Sequence, residues 1–175
     1  TPPKNKRRPI ECLLLLGGNM GDRKKTLLTA LSRLNELPAS KLTARSRIYQ
    51  TAPVGPSRRP YLNMAVRFDT FLSPMGLLIE CKRLEALAGR KPGPRWGKRP
   101  LDIDIIKYDA RKLKTLWLTL PHPRVAERPF ALAPLSEIAG SSSSSWKPKG
   151  GQTILELLKR LKPGPGIVKI FSSGR

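Results

Sequence analysis

The sequence predicts an α+β fold, in which helices pack on an antiparallel sheet. Its 175 residues, 39% of them hydrophobic, are enough for one domain with a real core. The hydrophobic patterns predict elements in the order strand, helix, strand, strand, helix, strand. That order is typical of a ferredoxin-like sandwich.

The first strand and helix follow from an aliphatic run and a capping signal. Residues 10–16 are mostly apolar and end at Gly17 and Gly18, which predicts a short buried strand. Asp22 is a suitable N-cap for a helix in which leucines recur at helical spacing. Pro38 ends this helix.

The middle of the chain predicts two strands and a helix. Residues 42–51 alternate well enough for one strand, and 61–70 place alternate apolar side chains on one face. Ser73 followed by Pro74 is a strong helix start. The predicted buried face of this second helix consists of Leu77, Cys81, Leu84 and Ala88.

Four further segments follow. Residues 101–108 predict a strand, with 113–120 as its partner strand through a turn. Short helices are predicted over 130–138 and 153–161. The last residues, PGPGIVKIFSSGR, are interpreted as a loose tail.

Three regions are therefore expected. Residues 1–9 form a basic N-terminal arm, 10–140 form the folded domain, and 141–175 form a flexible connector, a short helix and a basic tail. The connector is predicted from its serine-rich composition.

The charge and the cysteines limit the kinds of partner and the cellular compartment that we expect. Lys and Arg number 34 against 12 Asp and Glu, for a net charge of +22, which favours a polyanionic partner such as nucleic acid, an anionic membrane or a phosphate-rich small molecule. Cys12 and Cys81 lie in apolar runs without metal-ligand spacing, so buried free thiols in a reducing compartment are expected. No apolar run approaches membrane-helix length, and the basic N-terminus lacks a secretory apolar region. A cytoplasmic location is expected.

The segment LDIDIIKY contains a pair of acidic residues. Asp102 and Asp104 stand two apart on a predicted strand, so both point to one face. Two carboxylates on one face repel each other unless a cation lies between them, and such oxygen ligands suit magnesium. A solvated strand face is an equally good interpretation of the pair alone.

The preceding segment, GRKPGPRWGKRP, favours the metal. Its glycines and prolines predict a loop, and it carries Arg90, Arg95 and Arg99. Such a loop before two carboxylates is suited to closing over a metal–triphosphate. A solvated basic loop or an RNA contact is the alternative. Trp96 adds a surface for stacking a ring, or anchors the loop.

Two other segments supply candidate ligand contacts. His122, the single histidine, lies between prolines near Arg124 and Arg128, where it can donate to phosphate, although a lone histidine is more often structural. Tyr61 and Asn63 follow the proline-rich loop TAPVGP and can stack on a ring and hydrogen-bond a heterocycle. The alternative is that both are strand-face residues near the sheet edge.

Together these segments resemble the 6-hydroxymethyl-7,8-dihydropterin pyrophosphokinase family of folate biosynthesis. The resemblance runs from residue 13 to 139 through LLLLGGNMGDR, YQTAPVGP, YLNMAVRF, LEALAGR, RWGKRPLDIDII and LPHPRVAERPFALAPLSEIA. It implies a ferredoxin-like monomer that transfers pyrophosphate from ATP to the pterin hydroxymethyl group and releases AMP. No membrane or nucleic-acid partner is expected.

The resemblance also implies residue roles. Asp102 and Asp104 would hold two Mg²⁺ ions, and Arg90 and Arg99 would act on the phosphates during transfer. The nucleotide would contact Glu85, Arg95, Trp96, Ile105, Thr119, His122 and Arg128. The pterin would lie between Tyr61 and Phe130 and contact Thr51, Pro53, Val54, Asn63 and Trp96.

The chain departs from the family pattern in places. It has Gly18 where serine is common, Pro-Gly-Pro in a short loop between Arg90 and Arg95, and Trp117 where some members have a basic residue. Two rival functions remain: a basic RNA-binding module, which would need aromatics that CLLLLGG lacks, and a regulatory pterin binder, which would not need the carboxylates and arginines.

Overall fold

A computed structural model describes residues 8–53, 59–92, 99–138 and 146–161, and the backbone of 167–171. Eight strands, four α-helices and one 3₁₀ turn lie within these ranges. They are β1 (Ile10–Gly18), α1 (Arg23–Asn35), β2 (Ser40–Arg45), β3 (Ile48–Thr51), β4 (Tyr61–Thr70), α2 (Pro74–Leu87), β5 (Asp102–Tyr108), β6 (Leu113–Lys114), β7 (Thr119–Leu120), the 3₁₀ turn (Val125–Glu127), α3 (Pro129–Ile138), α4 (Ile154–Arg160) and β8 (Ile167–Phe171).

The central sheet confirms the predicted antiparallel α+β sandwich. Its strands lie in the order β5-β1-β4-β3-β8, and β2 pairs with the C-terminal half of β4. The long strands β1 and β4 pair in unbroken register from Ile10–Thr70 to Gly18–Leu62. The two strands that carry the candidate site, β1 and β5, are therefore neighbours at one side of the sheet.

The sheet buries both of its faces. On one face, Leu14, Leu16, Met64 and Phe68 pack under α1 and α2. On the other face, Leu13, Leu15, Ala65 and Ile106 pack under α3, α4 and the 3₁₀ turn. Because strand side chains alternate, one aliphatic run such as 13–16 supplies both cores.

The helix boundaries follow from local capping. Asp22 accepts a hydrogen bond from Lys25 N at 3.0 Å and begins α1, as predicted. Ser73 accepts from Gly76 N at 3.1 Å and begins α2, with Pro74 at its first position. Thr153 and Glu156 form a capping box at the start of α4.

The prediction of one continuous strand over 42–51 was wrong. The chain forms β2 and β3, separated at Ser46 and Arg47. The Ser46 hydroxyl donates to Arg47 O at 2.7 Å and accepts from Ala65 N at 2.9 Å, so the side chain replaces strand hydrogen bonds at the break.

Two later predictions were also wrong. Residues 113–120 do not pair with β5, since β6 and β7 form a separate two-stranded hairpin around the turn at 115–118. Residues 167–171, which were assigned to a loose tail, form β8 and pair with β3 from Ile48–Phe171 to Thr51–Ile167. The segment reads Ile-Val-Lys-Ile-Phe, residue types that favour strands, and β3 supplies the partner for its backbone.

Cys12 and Cys81 are both buried free thiols, as expected. Burial raises the pKa of Cys81 to about 12 and that of Cys12 further, so neither thiol is a reactive nucleophile. Among the helices the structure describes, none is long and apolar enough to cross a membrane.

Candidate active site

A pocket of about 430 Å³ opens at the ends of β1, β4 and β5. Asp102, Asp104 and Asn63 line it from the sheet, His122 lines it from the loop after β7, and Phe130 lines it from the first turn of α3. The loop after β7 therefore faces strand ends that are distant in sequence. The pocket brings together the acidic, basic and aromatic candidates on one surface.

The two carboxylates share the pocket face of β5. Their neighbours Ile103 and Ile105 point into the opposite core, as the alternation predicts. Burial, and next the charge of Asp102, raise the pKa of Asp104 to about 6. The Asp104 Oδ2 atom lies 3.7 Å from Arg128 Nη1. Because Asp104 has this longer contact to a cation and a second carboxylate beside it, it gains from a bound cation.

Arg90 joins two carboxylates on different elements. Its Nη1 lies 2.5 Å from Asp102 Oδ1 and 2.5 Å from Glu85 Oε2. Glu85 is only 2% exposed, and its Oε1 accepts hydrogen bonds from Ile103 N at 2.8 Å and Lys82 Nζ at 2.9 Å. Glu85 thus anchors Arg90 and binds the backbone of β5 to α2.

Arg99 is held in place through its backbone. Its N–H donates to Asn19 Oδ1 at 2.8 Å, and its carbonyl accepts from Asn19 N at 3.0 Å. Its Nη1 lies 3.2 Å from Asp102 Oδ2. A Cβ atom on Gly18 would lie 2.3 Å from Pro100 O, so glycine allows this close approach. The Gly18 departure from the usual serine therefore has a local steric reason.

His122 is neutral at physiological pH. Burial, and next the charges of Arg128 and Arg124, lower its pKa to about 4. Its Nδ1 accepts a hydrogen bond from Arg124 N at 3.2 Å, which leaves the proton on Nε2. The histidine is thus a hydrogen-bond donor beside two arginines, rather than a third full cation.

The opposite side of the pocket suits a flat heterocycle. Tyr61 and Phe130 both line it, and Arg128 Cζ lies 5.6 Å from the centroid of the Phe130 ring. Asn63 is 4% exposed and donates from Nδ2 to Thr51 Oγ1 at 3.0 Å. A Cβ on Gly17 would lie 2.8 Å from Asn63 Oδ1, so Gly17 makes room for the amide.

Most of the predicted site residues line this pocket, and some do not. Glu85 lies behind it and acts on Arg90, as described. The Ile105 side chain is buried in the helix-covered core. Thr119 on β7 and the exposed Pro53 are not among the lining side chains. The predictions for Val54, Arg95 and Trp96 fall outside the described residues.

Sequence reasoning missed three residues of the site. Lys82 and Glu127 line the pocket, and Asn19 fixes Arg99 from the end of β1. The spacing of Lys82 and Glu85 on α2 was the one available signal, because residues three apart share a helix face. Nothing in the sequence around Asn19 indicates its contact with Arg99, because the two residues are 80 positions apart.

The structure resembles solved chains of HPPK-DHPS. A structure titled as HPPK-DHPS in complex with substrates superposes with a TM-score of 0.64 at 15% identity, covering 87% of this chain and 43% of that one. Plasmodium falciparum HPPK-DHPS gives 0.63 at 17% identity, covering 86% and 43%. At such identities the likeness shows the fold alone. This chain spans under half the length of those chains.

Sequence comparison is more specific. A 2-amino-4-hydroxy-6-hydroxymethyldihydropteridine pyrophosphokinase of Methylorubrum extorquens is 40% identical over 156 residues, which is 89% of this chain and 95% of that protein. The mitochondrial folate synthesis bifunctional protein of Pisum sativum is 41% identical over 136 residues, or 77% of this chain and 26% of that protein. The model of the 7,8-dihydro-6-hydroxymethylpterin-pyrophosphokinase (HPPK) family matches residues 13–140. The chain is a member of that family.

Proposed function

We propose that this chain transfers the terminal pyrophosphoryl group of ATP to the hydroxymethyl group of 6-hydroxymethyl-7,8-dihydropterin, releasing AMP. The observation that carries the proposal is that two chemically different groups of side chains line one pocket. We assign Asp102, Asp104 and the cations to the phosphate end, and Tyr61, Asn63 and Phe130 to the heterocycle end. Family membership supports the same reaction.

The carboxylate pair fits magnesium as the metal of the nucleotide. Asp102 and Asp104 are hard oxygen donors on one face of β5, and burial, followed by the charge of Asp102, raises the pKa of Asp104. Magnesium takes one or two protein carboxylates and leaves its other positions to water and substrate phosphates, which fits this pair. Bound there, two Mg²⁺ ions would neutralise charge on the phosphate oxygens.

The basic side chains bind and orient the phosphates. Arg90 and Arg99 already converge on Asp102, so a short side-chain rotation brings each guanidinium to a phosphate beside it. His122 donates from Nε2, and Arg128 adds charge from the opposite wall. Together these groups stabilise the charge on the group in transfer.

The aromatic end fixes the acceptor. Tyr61 and Phe130 enclose a planar ring, and the Asn63 amide, oriented by Thr51, presents a donor and an acceptor to its edge. The acceptor hydroxyl then faces the phosphates for in-line attack on the β-phosphorus. Positioning supplies most of the rate, since no lining side chain stands out as a general base.

The remaining parts of the proposal concern assembly and location. A monomer in the cytoplasm is proposed, with ATP and the pterin as partners. The two buried free thiols suit a reducing compartment.

The decisive experiment incubates the chain with MgATP and 6-hydroxymethyl-7,8-dihydropterin and follows AMP. AMP should form in step with pterin diphosphate and should require both substrates and the metal. Asp104→Ala should abolish AMP formation while circular dichroism stays unchanged. Folded wild-type protein that yields no AMP would overturn the proposal.

A further inference from the structure

The segment after α3 returns to the rim of the pocket. Residues 146–161 lie beyond the family match at 13–140, yet they pack on the second core. Ile154 and Leu157 of α4 are buried among side chains of α3 and the 3₁₀ turn, and Trp146 packs partly buried against the same cluster. This segment is therefore fixed against the residues that lead to Arg128.

Lys149 is presented by a tight turn in this segment. Gln152 N donates to Lys149 O at 3.0 Å, and the two residues form an isolated antiparallel bridge. Gly150 and Gly151 have φ values of 58° and 72°, a conformation that glycine adopts readily. Gln152 Oε1 also accepts from Arg160 Nη1 at 2.9 Å, which ties the turn to α4. The Lys149 carbonyl is thus held by the turn, and the turn is held by α4.

The Lys149 side chain reaches a carboxylate of the pocket. Its Nζ lies 2.8 Å from Glu127 Oε1. Glu127 lines the pocket with Arg124 and Arg128, among groups suited to phosphate. The hydrogen bond from Lys149 is the main cause that lowers the pKa of Glu127, so this carboxylate is ionised. An uncompensated anion at this position would repel a triphosphate.

We propose that Lys149 is a positioning residue for the phosphate end of the pocket. It holds the Glu127 carboxylate at the rim and offsets its charge, so that this anion repels the nucleotide less. The proposal rests on the proposed function for the identity of the ligand, MgATP. It assigns a role in substrate affinity to a segment beyond the matched family domain.

Lys149→Ala in the full chain tests this role. At low ionic strength, KM for ATP from AMP formation and Kd for MgATP from calorimetry should both rise about two- to fivefold, the range of an exposed ion pair. The value of kcat and the melting temperature should stay unchanged, because the effect is on binding. Lys147→Ala removes the same charge two residues away and should leave both constants unchanged. Lys149→Arg should restore them.

The background Glu127→Gln separates the proposed route from a direct contact. There, Lys149→Ala should have no further effect, because no carboxylate remains to be offset. An equal loss in both backgrounds would mean that Lys149 acts on the nucleotide itself, and would overturn the proposal. So would a Lys149→Ala variant that behaves like Lys147→Ala. Failure of the proposed reaction would differ, since wild-type protein would then form no AMP.

Discussion

The Glu85 carboxylate lies 2.5 Å from Arg90 Nη1, although Glu85 is 2% exposed and is not among the side chains that line the pocket. Its contact with Ile103 N places the same carboxylate against β5, the strand that carries Asp102. A buried charge with several charge-assisted hydrogen bonds is rigid. The pocket arginine is therefore held by a group that the substrates do not need to touch.

Glu85→Gln should weaken this support while conserving shape. We expect AMP formation to fall about tenfold to a hundredfold, because charged hydrogen bonds contribute about 1.5–3 kcal/mol. The melting temperature should fall by a few degrees, since the edge of β5 is less well held. Steady-state kinetics and thermal unfolding measure the two effects.

Glu80→Gln provides the matched control. Glu80 lies on the same helix and pairs with Arg83 at 2.8 Å, three residues along, in an exposed setting. Such a pair contributes little, so both activity and melting should stay near wild type. If the two variants behaved alike, Glu85 would have no special link to Arg90.

Thr51→Val should impair the pterin end selectively. Thr51 Oγ1 accepts the hydrogen bond that orients the buried Asn63 amide, and valine has the same shape without the acceptor. KM for the pterin should rise about fivefold to thirtyfold, since an oriented hydrogen bond contributes about 1–2 kcal/mol. KM for ATP should be unchanged; an equal rise in both would argue against the division of the pocket.

The stability of the metal-free protein should depend on Asp104. Its folded-state pKa of about 6 is raised above the unfolded value, so the folded state binds more protons between about pH 4 and pH 6. The associated stability is present below pH 4 and lost as the pH rises through 6. Asp104→Asn lacks this loss and should gain about 1–3 kcal/mol relative to wild type by pH 7.

Denaturant unfolding at several pH values in the presence of a chelator measures that difference. Asp109→Asn is a suitable control, because Asp109 is exposed at the end of β5. A difference between Asp104→Asn and wild type that does not grow with pH would show that the pKa of Asp104 is not raised in the folded protein.

His122 should remain neutral through the physiological range. Its pKa of about 4 lies below the ordinary 6.5, so its ring should titrate well below pH 6 in nuclear magnetic resonance spectra. The assignment is direct because the chain has one histidine. Stability due to this shift is present above pH 6.5 and lost as the pH falls towards 4. A titration near 6.5 would contradict the buried, arginine-flanked position.

Local patterns predicted most of the sheet and much of the site. The strands β1, β4 and β5 and the helices α1 and α2 follow from runs, alternation and caps that lie within a few residues of each other. The Asp102–Asp104 pair followed from strand alternation in the same way. The resemblance to the family then placed this pair in one expected site with the distant His122 and Phe130.

The remainder depends on contacts between distant residues. The break between β2 and β3 depends on the Ser46 hydroxyl and the backbone of Ala65, and β8 depends on a free edge of β3. The roles of Asn19 and Lys149 likewise rest on partners far along the chain. Local patterns and propensities do not indicate which distant residues come into contact, because tertiary packing decides those contacts.

The pairing of β3 with β8 also has a consequence for synthesis. β3 emerges from the ribosome long before residues 167–171, and closing that long loop is slow. Until then, one edge of β3 exposes unpaired backbone groups to other nascent chains. Yield of soluble protein should therefore depend on the last strand even where catalysis does not.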